Sequence, residues 1–370
     1  MVNKFERARD AVVSTPSLVI DLPTVEANLA QLHQYAEKAS IKVRPHTKTH
    51  KSVLFAKRQL AYGSRGLTVA KVGEAEVMAT VSDDILIAYP AIDPDRRRRI
   101  AELAKTSSIH VAVDSAYAIH VLGEAARNAH SMIGILIDIN VGADRTGVAD
   151  AEASLELAKL VAKSESLRLD GIFFYPGQVW APAGEQESPL HAIDEKLAAA
   201  ISLWQENDLP CPIVSGGSTP TAYQSHCIKS QTEIRPGTYI FNDMNTVRAG
   251  FCQEEDCAAA IICTVVSTAV PGKGVVDAGT KTLTSDRNVL HPLTGHGHVI
   301  EYPAAVITRL SEEHGEIDFS ACPNRPNVGD RISIIPNHIC PCVNLQNEVI
   351  LHDAEHNLTP SKVDSRGMLS

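Results

Sequence analysis

Nowhere does this chain carry an apolar run near the roughly 20 residues that a membrane-spanning helix needs. The longest candidate, AAAIICTVVSTAV at 258–270, is shorter and β-branched, which suits a buried strand. The opening MVNKFERARD is polar and lacks the apolar core of a secretory leader. Positive charge is scarce as well. Lys and Arg number 34 against 44 Asp and Glu, a formal net charge of -10, which argues against nucleic-acid backbones as partners. Eight cysteines (211, 227, 252, 257, 263, 322, 340 and 342) fall without a disulfide-framework spacing, as expected of reduced thiols in a cytoplasmic protein. Neither a Walker A pattern nor the glycine-rich dinucleotide fingerprint occurs, so ATP and NAD are disfavoured. No internal repeat or low-complexity linker interrupts the chain.

What is present is a regular alternation. Up to about residue 244, short apolar β-branched runs alternate with longer stretches at helical spacing. The runs are SLVIDL (17–22), IKVRP (from 41), GLTVA (66), DILIAYP (84), SIHVAVD (108), IGILIDINV (133), LRLDGIFFYP (167), CPIVSGG (211) and EIRPGTYIF (233). Continuous hydrophobicity, with no alternation, suits parallel strands covered on both faces. Eight units from 41 to 244 would close a (β/α)8 TIM-like barrel; an open doubly wound sheet is the competing architecture, disfavoured because no glycine-rich dinucleotide turn follows the first strand. Beyond 245, helical periodicity fades and short β-type runs are punctuated by turns such as PGKG and ACPNRPNVGD. The expected fold class is therefore α/β, with a barrel over 16–244 followed by a C-terminal mainly-β domain over 245–370 that residues 1–15 complete.

Active-site residues of a barrel stand at the C-terminal ends of its strands. IKV leads there to Arg44, His46 and Lys48, and ILIDINV leads to Asp144 and Arg145. GIFF leads to Tyr175 and Gln178, PIV to SGGSTPT (215–221), and the last run supplies Arg235, Gly237 and Tyr239. The backbone N–H groups of SGGSTPT could cradle a phosphate, or the stretch could be an ordinary turn. A phosphate loop, a strand-end lysine and polar neighbours together suggest pyridoxal 5'-phosphate, which needs a lysine, a phosphate cup and partners for its ring. Lys42 and Lys51, beside Lys48, read as solvated residues, and His46 and His50 as supporting ones.

RPHTKTHK resembles the lysine motif of the D-threonine aldolase and D-serine dehydratase family, which has the alanine-racemase-type (fold type III) architecture. The likeness runs from TPSLVIDL through DRTGV, YPGQ, SGGSTPT and RPGTY to PNHICPCVNL. The resemblance implies that Lys48 bonds covalently to the cofactor, that Arg145 approaches its phenolic oxygen and that Tyr175 faces its ring nitrogen. Gly216, Gly217, Ser218 and Thr219 would hold the phosphate, with Gly237, Thr238 and Tyr239 beside them. It also implies that His338 and Cys340 are the metal-ligand pair, and that the protein is a homodimer.

Two residues apart on an extended segment, His338 and Cys340 would point the same way and could grip one ion. Such an incomplete set suits a catalytic divalent metal, zinc or manganese, with positions open to water or substrate. Cys342 reads as a buried thiol, while His296, His298 and His314 are further candidates for substrate or metal contact. The implied reaction is retro-aldol cleavage of a D-β-hydroxy-amino acid, of the type D-threonine to glycine plus acetaldehyde. The alternative is dehydration of D-serine or D-3-hydroxyaspartate; racemization would not need the metal.

Overall fold

The computed structural model describes residues 3–370. They form two compact units. One holds Gln31–Lys48, Ser52–Gly237 and Met368–Ser370; the other holds the chain up to Ala30, Thr49–Lys51 and Thr238–Gly367.

The first unit is built on eight parallel strands: Lys42–Val43, Leu67–Val69, Asp84–Ile87, Ser108–Val113, Ile133–Ile139, Leu167–Phe174, Ile213–Gly216 and Glu233–Ile234. Each pairs with its successor from the second onward, and the last pairs with the first. A parallel bridge between His46 and Thr68 joins the two remaining edges and closes the barrel. Ile133–Ile139 is buried along its whole length, so its hydrophobic run needs no alternation. Helices between the strands begin where the sequence supplies caps. Asp93 accepts from the Arg96 N–H ahead of Pro94–Leu103, Ser115 from Ala118 ahead of Ala116–Ala129, and Asp150 from Ala153 ahead of Ala151–Ala162.

The barrel interior carries both an apolar layer and a charged one. Leu86, Ala112, Leu136, Phe173 and Ile213 pack together inside. A register shift opposite Ile135 and Leu136 inserts Asp170 as an extra residue in its strand, which turns its carboxylate inward. Only a glycine can face it: a Cβ on Gly134 would lie 1.7 Å from an Asp170 oxygen.

In the second unit, the sheet runs Val306–Leu310, Gly315–Asp318, Lys273–Val276, Ala259–Ser267, Ser17–Asp21, Glu348–His352 and Leu358–Lys362. Arg331–Pro336 pairs with Ala259–Ser267 and with Gly297–Val299. This moves the expected boundary. SLVIDL, inside the expected bound at 16 but not among the eight barrel runs, joins this sheet: Ser17–Asp21 runs antiparallel to Ala259–Ile262 and parallel to Ile350–His352. An apolar strand is equally satisfied in either sheet, so its own composition does not say which one takes it.

Candidate functional site

The barrel delivers its expected residues to the C-terminal ends of its strands. Lys48 sits in a single 3-10 turn, Thr47–Thr49, just past Lys42–Val43, and is exposed between buried neighbours. Its own backbone N–H donates to His46 Nδ1 at 3.4 Å, while the His46 N–H donates to the Pro236 carbonyl at 3.0 Å. The turn is thereby tied to the segment after the last strand. Lys51 departs from expectation: it is buried, in the left-handed region at φ 50°, and its ammonium reaches the Ser365 carbonyl at 3.5 Å. Lys42 is exposed as expected.

After Ile133–Ile139, Arg145 places its guanidinium 4.4 Å from the centre of the Tyr175 ring, a cation–π contact. Asp144 does not pair with it; its carboxylate accepts from Asn140 Nδ2 at 2.7 Å. Gly177 lets the YPGQ turn fold tightly, since a Cβ there would lie 2.2 Å from the Tyr175 ring. After Ile213–Gly216, Gly217 turns the chain at φ 86°, which a glycine adopts at little cost. The Ser218 N–H donates to Thr221 Oγ1 at 3.2 Å, which fixes the start of that loop. Arg235 is buried beneath it, donating to Ser215 Oγ at 2.8 Å and to the Phe174 carbonyl at 2.7 Å, with its guanidinium 3.7 Å from the Phe173 ring centre. An exposed amine, a glycine-turned loop and a cation stacked on a tyrosine fit an anionic aromatic cofactor.

Sequence reading passed over Asp138, although a carboxylate inside ILIDINV is its visible signal. It is buried, and burial pushes its pKa up to about 6 against the pull of Thr146 and Arg235.

Arg44 also has a different task. It lies inside the barrel, donating from Nε to Glu233 Oε1 at 2.8 Å and from Nη2 to Asp84 Oδ2 at 3.1 Å. His110 bridges Asp84 at 3.0 Å and Asp170 at 2.6 Å, and Arg168 closes on Asp170. Burial alone would raise Asp84, but His110 and Arg44 hold it well below the usual carboxylate range.

In the second unit, the metal-ligand candidates are not on an extended segment. His338 caps the short helix Ile339–Leu345, and Cys340 lies in its first turn. The chain turn, with no help from strand alternation, brings the two side chains into hydrogen-bonding contact. Asp243 holds this turn: Oδ1 caps Met244–Arg248 by accepting from Asn245 and Thr246, and Oδ2 accepts from the Ile339 N–H at 3.1 Å. Thr49 Oγ1 lies 3.2 Å and Thr238 Oγ1 3.7 Å from the Cys340 sulfur. Thr238 thus stands beside the thiol, and Tyr239 next to it is buried. His338 Nδ1 is 2.9 Å from Asp286 Oδ2. Burial would depress this imidazole, but Cys340, Asp243 and Asp286 push it up to about 9.

Among the described residues, no group of three or more His, Cys, Asp or Glu is arranged to hold a metal ion. One imidazole and one thiol fit a divalent cation whose other positions are left to water or substrate. Cys342 is buried, its thiol donating to the Leu283 carbonyl. His314 is exposed in a hairpin turn, His298 faces Glu254 at 3.4 Å, and His296 is buried. Asp243 and Asp286 were not foreseen. DMNT is a readable capping signal for the first, whereas nothing in the sequence points from Asp286 to His338.

Comparison with known proteins identifies both parts of the chain. Residues 20–245 match the model described as "Alanine racemase, N-terminal domain", and residues 258–352 match "Putative serine dehydratase domain". A D-threonine aldolase from Arthrobacter sp. is 29% identical over 92% of this chain and 89% of its own length. A D-threo-3-hydroxyaspartate dehydratase from Delftia sp. (strain HT23) is 32% identical over 89% and 91%. The crystal structure of D-threonine aldolase from Filomicrobium marinum superposes with a TM-score of 0.89 at 28% identity, covering 97% of both chains.

Proposed function

The chain belongs to the alanine racemase N-terminal domain family and to the lyases within it that act on D-hydroxy-amino acids, and from that premise we propose a pyridoxal-phosphate- and divalent-metal-dependent retro-aldol lyase. Its substrate would be a D-β-hydroxy-amino acid, cleaved in the manner of D-threonine to glycine and acetaldehyde. When bound, the cofactor supplies an electron sink that weakens whichever Cα bond stands perpendicular to its ring.

The chain's own residues would do the rest. The Lys48 amine, exposed at the strand end, is the point of covalent attachment and can carry a proton at Nζ. Arg145 and Tyr175, stacked on one another, would flank the ring, and Gly216, Gly217, Ser218 and Thr219, with Gly237, would hold the phosphate. His338 and Cys340 would hold zinc or manganese, whose Lewis acidity lowers the pKa of a β-hydroxyl. A variant of the related dehydratase, solved in what is described as its metal-free form, superposes with a TM-score of 0.87 at 27% identity. The donor pair is the observation that supports a metal-dependent lyase, because racemization or mere carriage of the cofactor would have no use for a metal; cleavage and dehydration share it.

Dehydration of D-serine or D-3-hydroxyaspartate is the second reading, favoured by the 32% identity to the Delftia dehydratase. There, Lys48 would take the Cα proton and the β-hydroxyl would leave. Purified protein loaded with cofactor and metal, incubated with D-threonine, D-serine and D-3-hydroxyaspartate, separates the two. An aldehyde with glycine supports cleavage; a keto acid with ammonia overturns it in favour of dehydration. A homodimer, checked by sizing, belongs to this reading. So does a cytoplasmic location, supported by eight free thiols.

A further inference from the structure

Asp286 lies 52 residues before His338 in sequence, yet its carboxylate meets the imidazole Nδ1 at 2.9 Å. The contact is not a chance meeting of two long side chains. The Asp286 N–H donates to Thr284 Oγ1 at 3.3 Å, and the Asp286 carbonyl accepts from Asn337 Nδ2 at 3.2 Å. Asn337 immediately precedes His338, is buried, and donates again to the Gly295 carbonyl at 2.8 Å. The loop that carries Asp286 is therefore stitched to the segment that carries His338, and the two side chains are held in register. On the other side of the same segment, Asp243 grips the Ile339 N–H.

A carboxylate on Nδ1 settles the chemistry of the ring. An ionised carboxylate only accepts hydrogen bonds, so Nδ1 carries the proton, and Nε2 is the ring nitrogen left to a cation, which would displace any proton held there. Carboxylate–histidine pairs of this kind orient metal-bound imidazoles and raise their basicity. Asp286 spends its carboxylate on the ring nitrogen that a metal would not use. It also belongs to no cluster of three donors among the described residues.

We propose that Asp286 is a positioning residue: it fixes His338 as the Nδ1–H tautomer and presents Nε2 to the cation that His338 and Cys340 share. This rests on the metal reading given above and adds a third residue, one that does not itself touch the metal.

The test is metal affinity, measured by competition with a chromophoric chelator on the cofactor-loaded protein, using Zn2+ and then Co2+. Asp286→Ala should weaken Zn2+ about 10- to 100-fold, with Asp286→Glu recovering much of the loss and the thiolate-to-Co2+ band keeping its position. In metal-free protein, at a pH high enough for the His338 ring to be neutral, its nitrogens should report Nδ1–H in wild type by 15N NMR and a tautomer mixture in Asp286→Ala. Because Asp286 is half-exposed, the metal-free melting temperature should stay within about 2 °C. Wild-type affinity in Asp286→Ala, or an unchanged tautomer, overturns the proposal. A shifted Co2+ spectrum would make Asp286 a ligand and overturn it as well. If wild type and His338→Ala bind Zn2+ equally poorly, it is the metal reading itself that fails.

Discussion

Inside the barrel, Arg44 is held between Glu233 and Asp84, each the first residue of its strand, and His110 between Asp84 and Asp170. At the C-terminal ends Lys48 and Arg145 are exposed, and among the described residues no carboxylate forms an ion pair with either. The same residue types occupy both ends of one barrel with opposite outcomes. Where a charge is buried, leaving it without a partner costs several kcal/mol, so Arg44, Glu233 and His110 are each ion-paired. Where water remains, a lysine can stand unpaired, and an unpaired amine is what a covalent cofactor needs. A strand-end cation therefore signals function by what it lacks, a point that charge density alone misses.

Four substitutions test that contrast. Lys48→Ala should have the largest effect, removing activity by roughly a thousand-fold or more together with the cofactor's absorbance. Its denaturation midpoint should hardly move; a large loss of stability would mean that Lys48 is a structural residue.

Arg44→Ala inverts that pattern. It removes the cation bonded directly to Glu233, which is fully buried, leaves only the half-exposed Arg65 at 3.8 Å, and should cost about 3 kcal/mol in urea unfolding. Activity per folded molecule should survive. If Arg44→Ala abolished turnover in protein shown to be folded, the division between the two ends would not hold.

Asp138, buried one residue before the C-terminal end of Ile133–Ile139, gives a pH test. Its folded pKa of about 6 lies above the ordinary aspartate value, so its contribution to stability is full below about pH 4 and lost as pH rises through 6. Asp138→Asn should abolish that component, and the stability difference between variant and wild type should move by about 3 kcal/mol from pH 4 to pH 7.5. A difference that stays flat across that range would mean that Asp138 is not held neutral by burial.

Arg145→Ala should be the mildest for the fold, below about 1 kcal/mol, the scale of one exposed cation–π contact. Cofactor affinity should still fall measurably in equilibrium dialysis. Unaltered affinity would return Arg145 to the role of a surface residue stacked on Tyr175.

Much of this architecture was legible in advance, for a specific reason. Parallel strands covered on both faces must be apolar throughout, so each of the eight announces itself as a continuous run, and caps such as Asp93, Ser115 and Asp150 mark where helices restart. RPHTKTHK stands out as a local string because its charge is concentrated within a few residues, whereas PNHIC is singled out by its resemblance to the family's motif. The eight barrel runs begin at 41, but the domain bound at 16 takes in Ser17–Asp21 as well, because an apolar strand reports burial and not its neighbours. His338 and Cys340 were expected on an extended segment, whereas the chain turns into a helix between them.

By itself, then, the sequence determined the alternation of elements, the residues available at each strand end and the two motifs that could carry chemistry, because these depend on neighbours in the chain. Only the tertiary structure decided that Arg44 is sealed into an ion network while Lys48 stays open, that Lys51 is buried, and that Asp286 meets His338. Those outcomes depend on which distant groups share a low-dielectric space. Pairing across 52 or 189 residues leaves no periodicity or spacing for a sequence to display.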